Sequence, residues 1–307
     1  MSRPITTQST NKINIYGKVL DITFGEGTLS TGSQYERATL TIRVEQTYDG
    51  RTDISEIPVG VFATPHTRGG AANPVWDTMQ SIKTLKTAQN VGLENADSIR
   101  IKGGQLRENN FVAKNSGQLI TGWQLSTSFI TKGAGQNPVK DIASFQFDLF
   151  ILDMHDELDR DDDTTGRLVV KGGIVKYDGS LDVVEFIVED PAKIDFISRN
   201  WEVNQTVNAE GRIRVTSQVE NVAGKHSSWG EELPNETTRT VKELIITSGS
   251  DEGYEEEFAY DPDDIRKAFN IRKAMIEQMQ LQARTNANKP AAAATAKTSN
   301  VKTYEWE

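Results

Sequence analysis

The feature that most constrains the fold is the strict alternation of apolar and polar residues in short segments. In the segment 37–45, which reads RATLTIRVE, every second residue is apolar or small. Because successive side chains of a strand point to opposite faces, this pattern predicts a β-strand whose outer face carries Arg37 and Arg43. Further strands are predicted at 12–22, 53–62, 98–102, 111–114 and 119–130.

One helix is predicted inside this series of strands. Pro74 is typical of a first helical position, and Met79 and Ile82 follow at helical spacing. The elements of residues 1–140 then follow the order strand, strand, strand, helix, strand, strand. This is the order of the oligonucleotide-binding (OB) fold, a five-stranded Greek-key barrel.

A partial repeat of this pattern predicts a second OB-like domain at 141–248. The segment 167–176 again places glycine inside a strand, Tyr177-Asp178-Gly179-Ser180 predicts a hairpin turn, and Pro191 begins a helix. The segment 145–152 is either the first strand of this domain or a strand that joins the two domains. An acidic segment and helix at 249–284 and a flexible linker with an acidic-aromatic tip at 285–307 complete a mainly β chain with two tandem barrels.

Composition limits the class of protein. The 307 residues include no cysteine, which excludes disulfides, thiol catalysis and cysteine-bound zinc. No apolar run reaches the length of ~18 residues that a membrane span needs, and residues 1–12 lack the apolar core of a secretory signal. We therefore predict a cytoplasmic protein, in the host cytoplasm if it is viral, with no membrane partner.

The charge is divided unevenly along the chain. Residues 1–140 carry 15 basic and 11 acidic side chains, whereas residues 141–307 carry 19 basic and 33 acidic ones. A basic first part favours an anionic ligand there, although a plain acidic globular protein is the simpler alternative.

No constellation of residues predicts an enzyme. The three histidines lie in unrelated contexts, and neither a nucleophile motif nor a phosphate-binding loop is present. The acidic segment 153–163 is better interpreted as a solvated loop than as a metal site, because it lacks the glycine and terminal glutamate of a calcium loop. No metal and no cofactor are expected.

Binding of single-stranded nucleic acid requires cations for phosphates and flat rings for bases. The candidate cations are Lys18, Arg37, Arg43, Lys102, Arg107 and Lys114 in the first domain, and Arg212 and Arg214, which alternate outward, in the second. The candidate stacking residues are Phe24, Tyr35, Phe111 and Trp123, with a core position as the alternative for Phe111 and Trp123.

The region around Gly103-Gly104 gives a sharper expectation. Lys102, Arg107 and Phe111 should protrude from the surface, whereas three residues of the predicted strand 119–130 should be buried. Those three are Leu119, Leu125 and Phe129.

The C-terminal tip Tyr304-Glu305-Trp306-Glu307 follows a stretch rich in Ala, Asn, Lys, Thr and Ser. A short acidic-aromatic peptide on a flexible linker can dock on a partner protein or fold back on a basic groove of its own chain. An unused disordered terminus is the alternative.

Taken together, the segments KINIYGKVLDI, ERATLTIRV, ADSIRIKGGQLRENNF and GWQLSTSFI and the end YEWE resemble phage-type single-stranded-DNA-binding proteins. The resemblance implies binding of single-stranded DNA without strong sequence preference, during replication, recombination or repair. It also implies that the tail recruits replication or recombination proteins, and homo-oligomers are possible. The alternative is a non-enzymatic structural or adaptor protein of a viral particle or replication complex.

Overall fold

The computed structural model describes residues 2–48, 50–113, 117–133, 140–159, 161–222 and 235–287, with only the backbone described at 218–222, 235–238 and 286–287. The strands are β1 (Asn11–Thr28), β2 (Gln34–Tyr48), β3 (Arg51–Ala63), β4 (Ser98–Glu108), β5 (Phe111–Val112), β6 (Leu119–Ile120), β7 (Trp123–Ser126), β8 (Thr131–Lys132), β9 (Ile142–Leu158), β10 (Thr164–Val175), β11 (Leu181–Val188), β12 (Thr206–Val222) and β13 (Asn235–Gly249). The helices are α1 (Pro74–Ile82), α2 (Ala88–Val91), α3 (Pro191–Asn200) and α4 (Pro262–Ala287).

Five strands close the first barrel, here called barrel one, in the order β1-β2-β3-β7-β4-β1. All neighbours are antiparallel except β3 and β7, which run parallel with Val59 opposite Leu125. A β-bulge at Gly103, where φ is 69°, shifts the register of β4 against β1. This order and this single parallel pair define an OB-fold barrel.

The second barrel, barrel two, repeats the arrangement in the order β9-β10-β11-β13-β12-β9. Its parallel pair is β11 and β13, with Ile187 opposite Ile245. Gly211 of β12 lies against Phe145 of β9, just as Gly104 of β4 lies against Ile13 of β1. The predicted fold, two tandem five-stranded OB-fold barrels followed by a C-terminal helix, is confirmed.

The first strands of the two barrels join them into one sheet. Residues 11–16 of β1 pair antiparallel with residues 142–147 of β9. Farther along, β9 pairs with β10 and β12 inside barrel two. The segment 145–152 is therefore both the first strand of barrel two and the strand that joins the barrels.

One helix closes an end of each barrel, and each of these helices begins in the same way. Asn73 precedes Pro74 and accepts a hydrogen bond from the amide of Val75, and Asp190 precedes Pro191 and does the same for Ala192. These side chains satisfy amides that a helix start leaves without partners. The buried residues Met79 and Ile82 of α1 and Ile197 and Trp201 at α3 join a core that runs through both barrels.

The helix α4 packs on barrel two through its first turns only. Ile265 and Ala268 are buried against Phe150 and Leu181, together with Tyr260. Farther along, Ile271, Met275 and Leu281 are exposed. No helix in the described ranges is long and apolar enough to cross a membrane.

The predicted single strand at 119–130 is wrong. It consists of β6 and β7, and β7 ends at Ser126 because the hydroxyl of Thr127 donates to the carbonyl of Phe129 and accepts from its amide. Such a local side-chain turn competes with the strand ladder. Leu125 is buried as expected, but Leu119 is only partly buried and Phe129 is exposed.

Candidate nucleic-acid interface

The outer face of β2 and β3 is set by the alternation of residues in the two strands. Ala38, Leu40 and the residues that alternate with them point into barrel one, so the odd-numbered residues of β2 point outward. Arg37 lies opposite Phe62 of β3, and residues directly opposite in a ladder share a face. Phe62 is therefore an outward residue, and its side chain is 53% exposed.

Two aromatic rings stack on this face. The ring centroids of Tyr35 and Phe62 lie 5.2 Å apart with 30° between the ring planes. Arg37 is exposed two residues from Tyr35 on the same face of the strand. We call Tyr35, Arg37 and Phe62 the stacking surface. A pair of rings at the surface, one exposed and one half-buried, beside a guanidinium offers flat faces for bases and a cation for a phosphate.

Phe62 was missing from the candidates chosen from the sequence. The alternation in 53–62 already places it on the polar side of its strand, which is an unusual position for a large apolar ring. What the sequence does not give is the register between β2 and β3, which brings Phe62 next to Tyr35 and Arg37.

Arg43 and Lys18 lie farther along the outer face, opposite each other in the ladder of β1 and β2. Arg43 lies 3.7 Å from a carboxylate oxygen of Glu45. The amine of Lys18 donates to the backbone carbonyls of Leu93 and Glu94, at 2.7 and 2.8 Å. Lys18 thus anchors the segment after α2, and a phosphate would have to compete with those carbonyls.

Phe24 is exposed but lies on the other side of the hairpin, because it pairs with the inward residue Ala38. It is therefore not part of the stacking surface.

Lys102 and Arg107 protrude as predicted, but on a different part of barrel one. Lys102 lies beside Asn14 near the start of β1, whereas Arg37 lies beside Gly25 near its end. The separation is about 36 Å measured along the strand. The structure therefore does not bring these two cations together.

Phe111 and Trp123 line a groove of about 1320 Å³ between barrel one, barrel two and α4. Phe111 is exposed, as predicted, and projects from the short β5–β6 hairpin. Trp123 is half-buried against the core, with the amine of Lys242 5.7 Å from its ring centroid. Trp123 thus packs against the core on one side and lines the groove on the other.

The expectation that Arg212 and Arg214 point outward is wrong. The side chain of Arg212 is 9% exposed and pairs with Asp53 of barrel one and Glu189 of barrel two, and its guanidinium lies 4.4 Å from the ring centroid of Tyr48. Arg214 pairs with Glu243 at 2.7 Å and with Glu189 at 3.2 Å. Both arginines also reach Asp53 of barrel one, Arg214 at 3.8 Å, so they join the two barrels.

The face of barrel two that corresponds to the stacking surface carries ion pairs. Arg167 of β10 binds Glu157 at 2.6 Å and Glu243 at 2.8 Å, and Lys171 lies 3.8 Å from Glu185. Arg272 of α4 pairs with Glu108 of barrel one across the groove that Phe111 and Trp123 line. Arg167 and Arg272 are thus held by close carboxylates, whereas the Lys171–Glu185 pair is longer and more exposed.

The acidic segment 153–163 forms the end of the β9–β10 hairpin. The carboxylate of Asp159 accepts the amides of Asp161 and Asp163 at 2.9 and 3.0 Å, which fixes the turn. Within the described ranges, no three acidic or histidine side chains are grouped in a way that could hold a metal ion.

Asp148 of β9 is a buried carboxylate that ties several segments to barrel two. It accepts hydrogen bonds from the amide of Thr10 at 3.0 Å and from the hydroxyl of Tyr254 at 2.9 Å, and it pairs with Arg3 at 3.2 Å. Burial alone would raise the pKa of Asp148, but these hydrogen bonds hold it below the ordinary value. Burial and the charge of Asp148 raise the pKa of Tyr254 to about 12.

Two predicted parts of the site lie outside the described residues. They are Lys114 and the tip Tyr304-Glu305-Trp306-Glu307.

Strand order, parallel pairs and internal repetition define the class of this protein as a tandem OB-fold protein. The chain belongs to the YorF family, whose family model matches residues 9–282. A search of curated protein sequences finds no match.

A search of solved structures matches single-stranded DNA binding proteins, with TM-scores below 0.5. The wild-type protein from Thermus aquaticus gives a TM-score of 0.49 at 10% identity, covering 80% of this chain and 93% of that one. A deletion variant of the same protein gives 0.49 at 12% identity, covering 82% and 97%. A small single-stranded DNA-binding protein from Streptomyces coelicolor gives 0.25 at 15% identity, covering 40% and 93%. The fold assignment itself rests on the strand order and pairing of this chain.

Proposed function

We propose that this protein binds single-stranded DNA without strong sequence preference on the outer face of β2 and β3 in barrel one. The observation that carries the proposal is the stack of the half-buried Tyr35 ring on the exposed Phe62 ring beside Arg37. In OB folds the face of the second and third strands is a common site for oligonucleotides.

Preference for a single strand follows from the chemistry of the stacking surface. A ring can stack only on a base whose face is free, and the bases of a duplex already stack on each other. Each stacked base contributes about 1 to 3 kcal/mol, and every base has such a face, so little sequence preference results. Arg37 adds a contact to the phosphate backbone, which makes the affinity depend on salt.

The path along β2 gives a size for the site. From Tyr35 to Arg43 the outer face extends about 26 Å, at ~3.3 Å per residue. A footprint of this kind falls within the ~4 to 16 nucleotides that one OB fold covers.

The proposal is tested by fluorescence anisotropy with three probes of equal length at two salt concentrations. They are oligo-dT, a duplex, and an abasic deoxyribose-phosphate strand that keeps the charge but lacks bases. We expect oligo-dT to bind most tightly, the abasic strand weakly, and both to weaken as salt rises. Equal binding of oligo-dT and the abasic strand would mean that stacking plays no part, and no binding of oligo-dT at low salt would refute the function.

A cellular role in replication, recombination or repair of phage DNA, in the cytoplasm of the host, extends this proposal. The resemblance noted above supports it, with the C-terminal tip as the contact for replication proteins. Pull-down of a host or phage replication protein by the full chain, and its loss on removal of 304–307, is the expected result.

An adaptor function in a viral particle or replication complex is the second candidate. It is favoured by the exposed apolar residues of α4, Ile271, Met275 and Leu281. Large exposed apolar side chains close together often mark protein contacts. If this is the main function, replacing these three residues by Ser abolishes assembly with the partner, and oligo-dT shows no advantage over duplex in the anisotropy experiment.

A further inference from the structure

Two glycines of β1 lie directly beneath the stacking surface. Gly27 is opposite Tyr35 and Gly25 is opposite Arg37 in the ladder of β1 and β2. Because opposite residues share a face, any side chain at these two positions would occupy the same outer surface as Tyr35 and Arg37.

The space above Gly27 is already filled by Tyr35. A Cβ atom on Gly27 would lie 2.6 Å from Oη and 2.7 Å from Cζ of Tyr35. Above Gly25, a Cβ atom would lie 2.6 Å from Nε of Arg37. These distances are far below ordinary van der Waals contact, so Tyr35 and Arg37 lie across β1 only because both positions lack a side chain.

Backbone conformation does not explain these glycines. Neither Gly25 nor Gly27 has a positive φ, unlike Gly32 in the turn that follows them. An L-residue could therefore adopt the same backbone, and a glycine inside a strand weakens it. What glycine provides at 25 and 27 is room for the side chains opposite.

We infer that Gly27, with Gly25, is a positioning residue that holds the stacking surface ready for a base before DNA arrives. With Gly27 beneath it, the Tyr35 ring rests against β1 and stacks on Phe62. A ring already in place loses little rotamer freedom on binding, so more of the stacking free energy appears as affinity. This inference rests on the proposed binding of single-stranded DNA.

The test is Gly27→Ala, which adds one methyl group. The atoms it meets are at the far end of the Tyr35 side chain, so the ring can swing away and the fold is preserved. We expect the free energy of unfolding, measured with urea, to be unchanged or slightly higher, since alanine restricts the unfolded chain more than glycine. Binding of oligo-dT should weaken by about fivefold or more, as expected when one stacked ring is displaced.

The matched control is Gly122→Ala. Gly122 also has no positive φ, but a Cβ atom there meets nothing within 4 Å. It tests what a glycine-to-alanine change does to barrel one where no side chain is displaced. Oligo-dT affinity should remain that of the unmodified protein.

A double-mutant cycle with Tyr35→Ala distinguishes the possible outcomes. We expect Gly27→Ala to have no further effect once Tyr35 is replaced. If Tyr35→Ala weakens binding and Gly27→Ala does not, the positioning role is refuted and the proposed function stands. If Gly27→Ala weakens binding equally in both backgrounds, the methyl group acts on DNA directly and the positioning role is again refuted.

A measurement without DNA keeps the inference testable if the protein does not bind oligo-dT. NMR of ring-labelled Tyr and Phe in the full chain should show ring contacts between Tyr35 and Phe62 that Gly27→Ala removes and Gly122→Ala retains. Contacts that persist in Gly27→Ala would refute the positioning role, whatever the ligand of this surface is.

Discussion

The two barrels share a frame but differ in how they use their charged and aromatic side chains. Both have a long first strand, a helix that begins with proline after the third strand, and a glycine of the fourth strand against the first. On the outer face of barrel one, the half-buried Tyr35 stacks on the exposed Phe62. On the outer face of barrel two, Arg167 and Lys171 are paired with carboxylates. The same fold therefore presents stacked rings beside an arginine in one copy and ion pairs in the other.

The hairpin between the first two strands of each barrel also differs in its charge. Residues 21–37 of barrel one carry three acids and one arginine, whereas residues 153–167 of barrel two carry seven acids and two arginines. A dense group of carboxylates repels phosphates. We therefore expect barrel one to bind DNA and barrel two to hold the molecule together.

Replacing both Tyr35 and Phe62 by Ala should have the largest effect on oligo-dT affinity, and it tests the difference between the barrels. Removal of two stacking rings is expected to weaken oligo-dT binding by about a hundredfold, from ~1 to 3 kcal/mol per base. Fluorescence anisotropy measures the change. The matched control is Tyr177→Ala, an aromatic residue of barrel two whose side chain is 84% exposed. Equal losses in the two variants would break the distinction between the barrels.

Among the changes expected to affect stability alone, Asp148→Asn should have the largest effect. Thr10 N–H donates to Oδ2 and Tyr254 Oη–H to Oδ1, so the amide keeps one acceptor and turns its NH₂ group toward one of these two donors. We expect a loss of about 3 kcal/mol in the free energy of unfolding, measured with urea at pH 7.

The Asp148 contribution should also depend on pH. Its folded pKa is lowered, so the stabilisation is complete above about pH 5 and is lost as pH falls below ~3.9, the ordinary value, and through the folded pKa. The difference between the variant and the unmodified protein should therefore shrink in acid. A difference that stays constant down to pH 2 would contradict this assignment.

Arg212→Ala should lower stability by about 2 kcal/mol while leaving oligo-dT affinity unchanged. Its removal leaves Asp53 and Glu189 with only their contacts to Arg214, at 3.8 and 3.2 Å. We place the cost below that of a fully buried pair because both carboxylates are about 30% exposed. Thermal unfolding and anisotropy on the same sample check both statements. If oligo-dT affinity falls while stability is unchanged, Arg212 contacts DNA and this prediction is wrong.

Arg37→Ala should have the smallest effect. Unlike Arg212→Ala, it should change affinity and not stability. Affinity for oligo-dT should fall a few-fold, and the slope of log affinity against log salt should decrease by about 0.7, the value for one phosphate contact on a single strand. Urea unfolding should be unaffected. Arg37→Lys keeps the charge and should retain the slope, so a slope lost in both variants would argue against a simple phosphate contact.

Local pattern was sufficient to predict most of barrel one. The alternation in 37–45 places Arg37 and Arg43 on the outer face, and Pro74 with the helical spacing behind it places α1. Both depend only on neighbours in sequence. The limits appear where distant segments meet: Phe62 gains its importance from the β2–β3 register, and Arg212 is buried by carboxylates about 160 and 23 residues away.

Local hydrogen bonding explains why the predicted strand 119–130 is wrong. The alternation in 119–130 continues through Phe129, but the Thr127 hydroxyl ends the strand before it. A residue pattern does not reveal which of two competing hydrogen-bond partners a backbone amide will choose.

The pairing of β1 with β9 also limits how the chain can be divided. Residues 11–16 take their hydrogen-bond partners on one edge from residues 142–147. A shortened chain that ends before β9 would leave this edge open along six residues, ready to pair with any other strand. Studied alone, barrel one is therefore expected to self-associate through that edge, so a change in its oligomeric state would report the missing half of the molecule rather than the bound DNA.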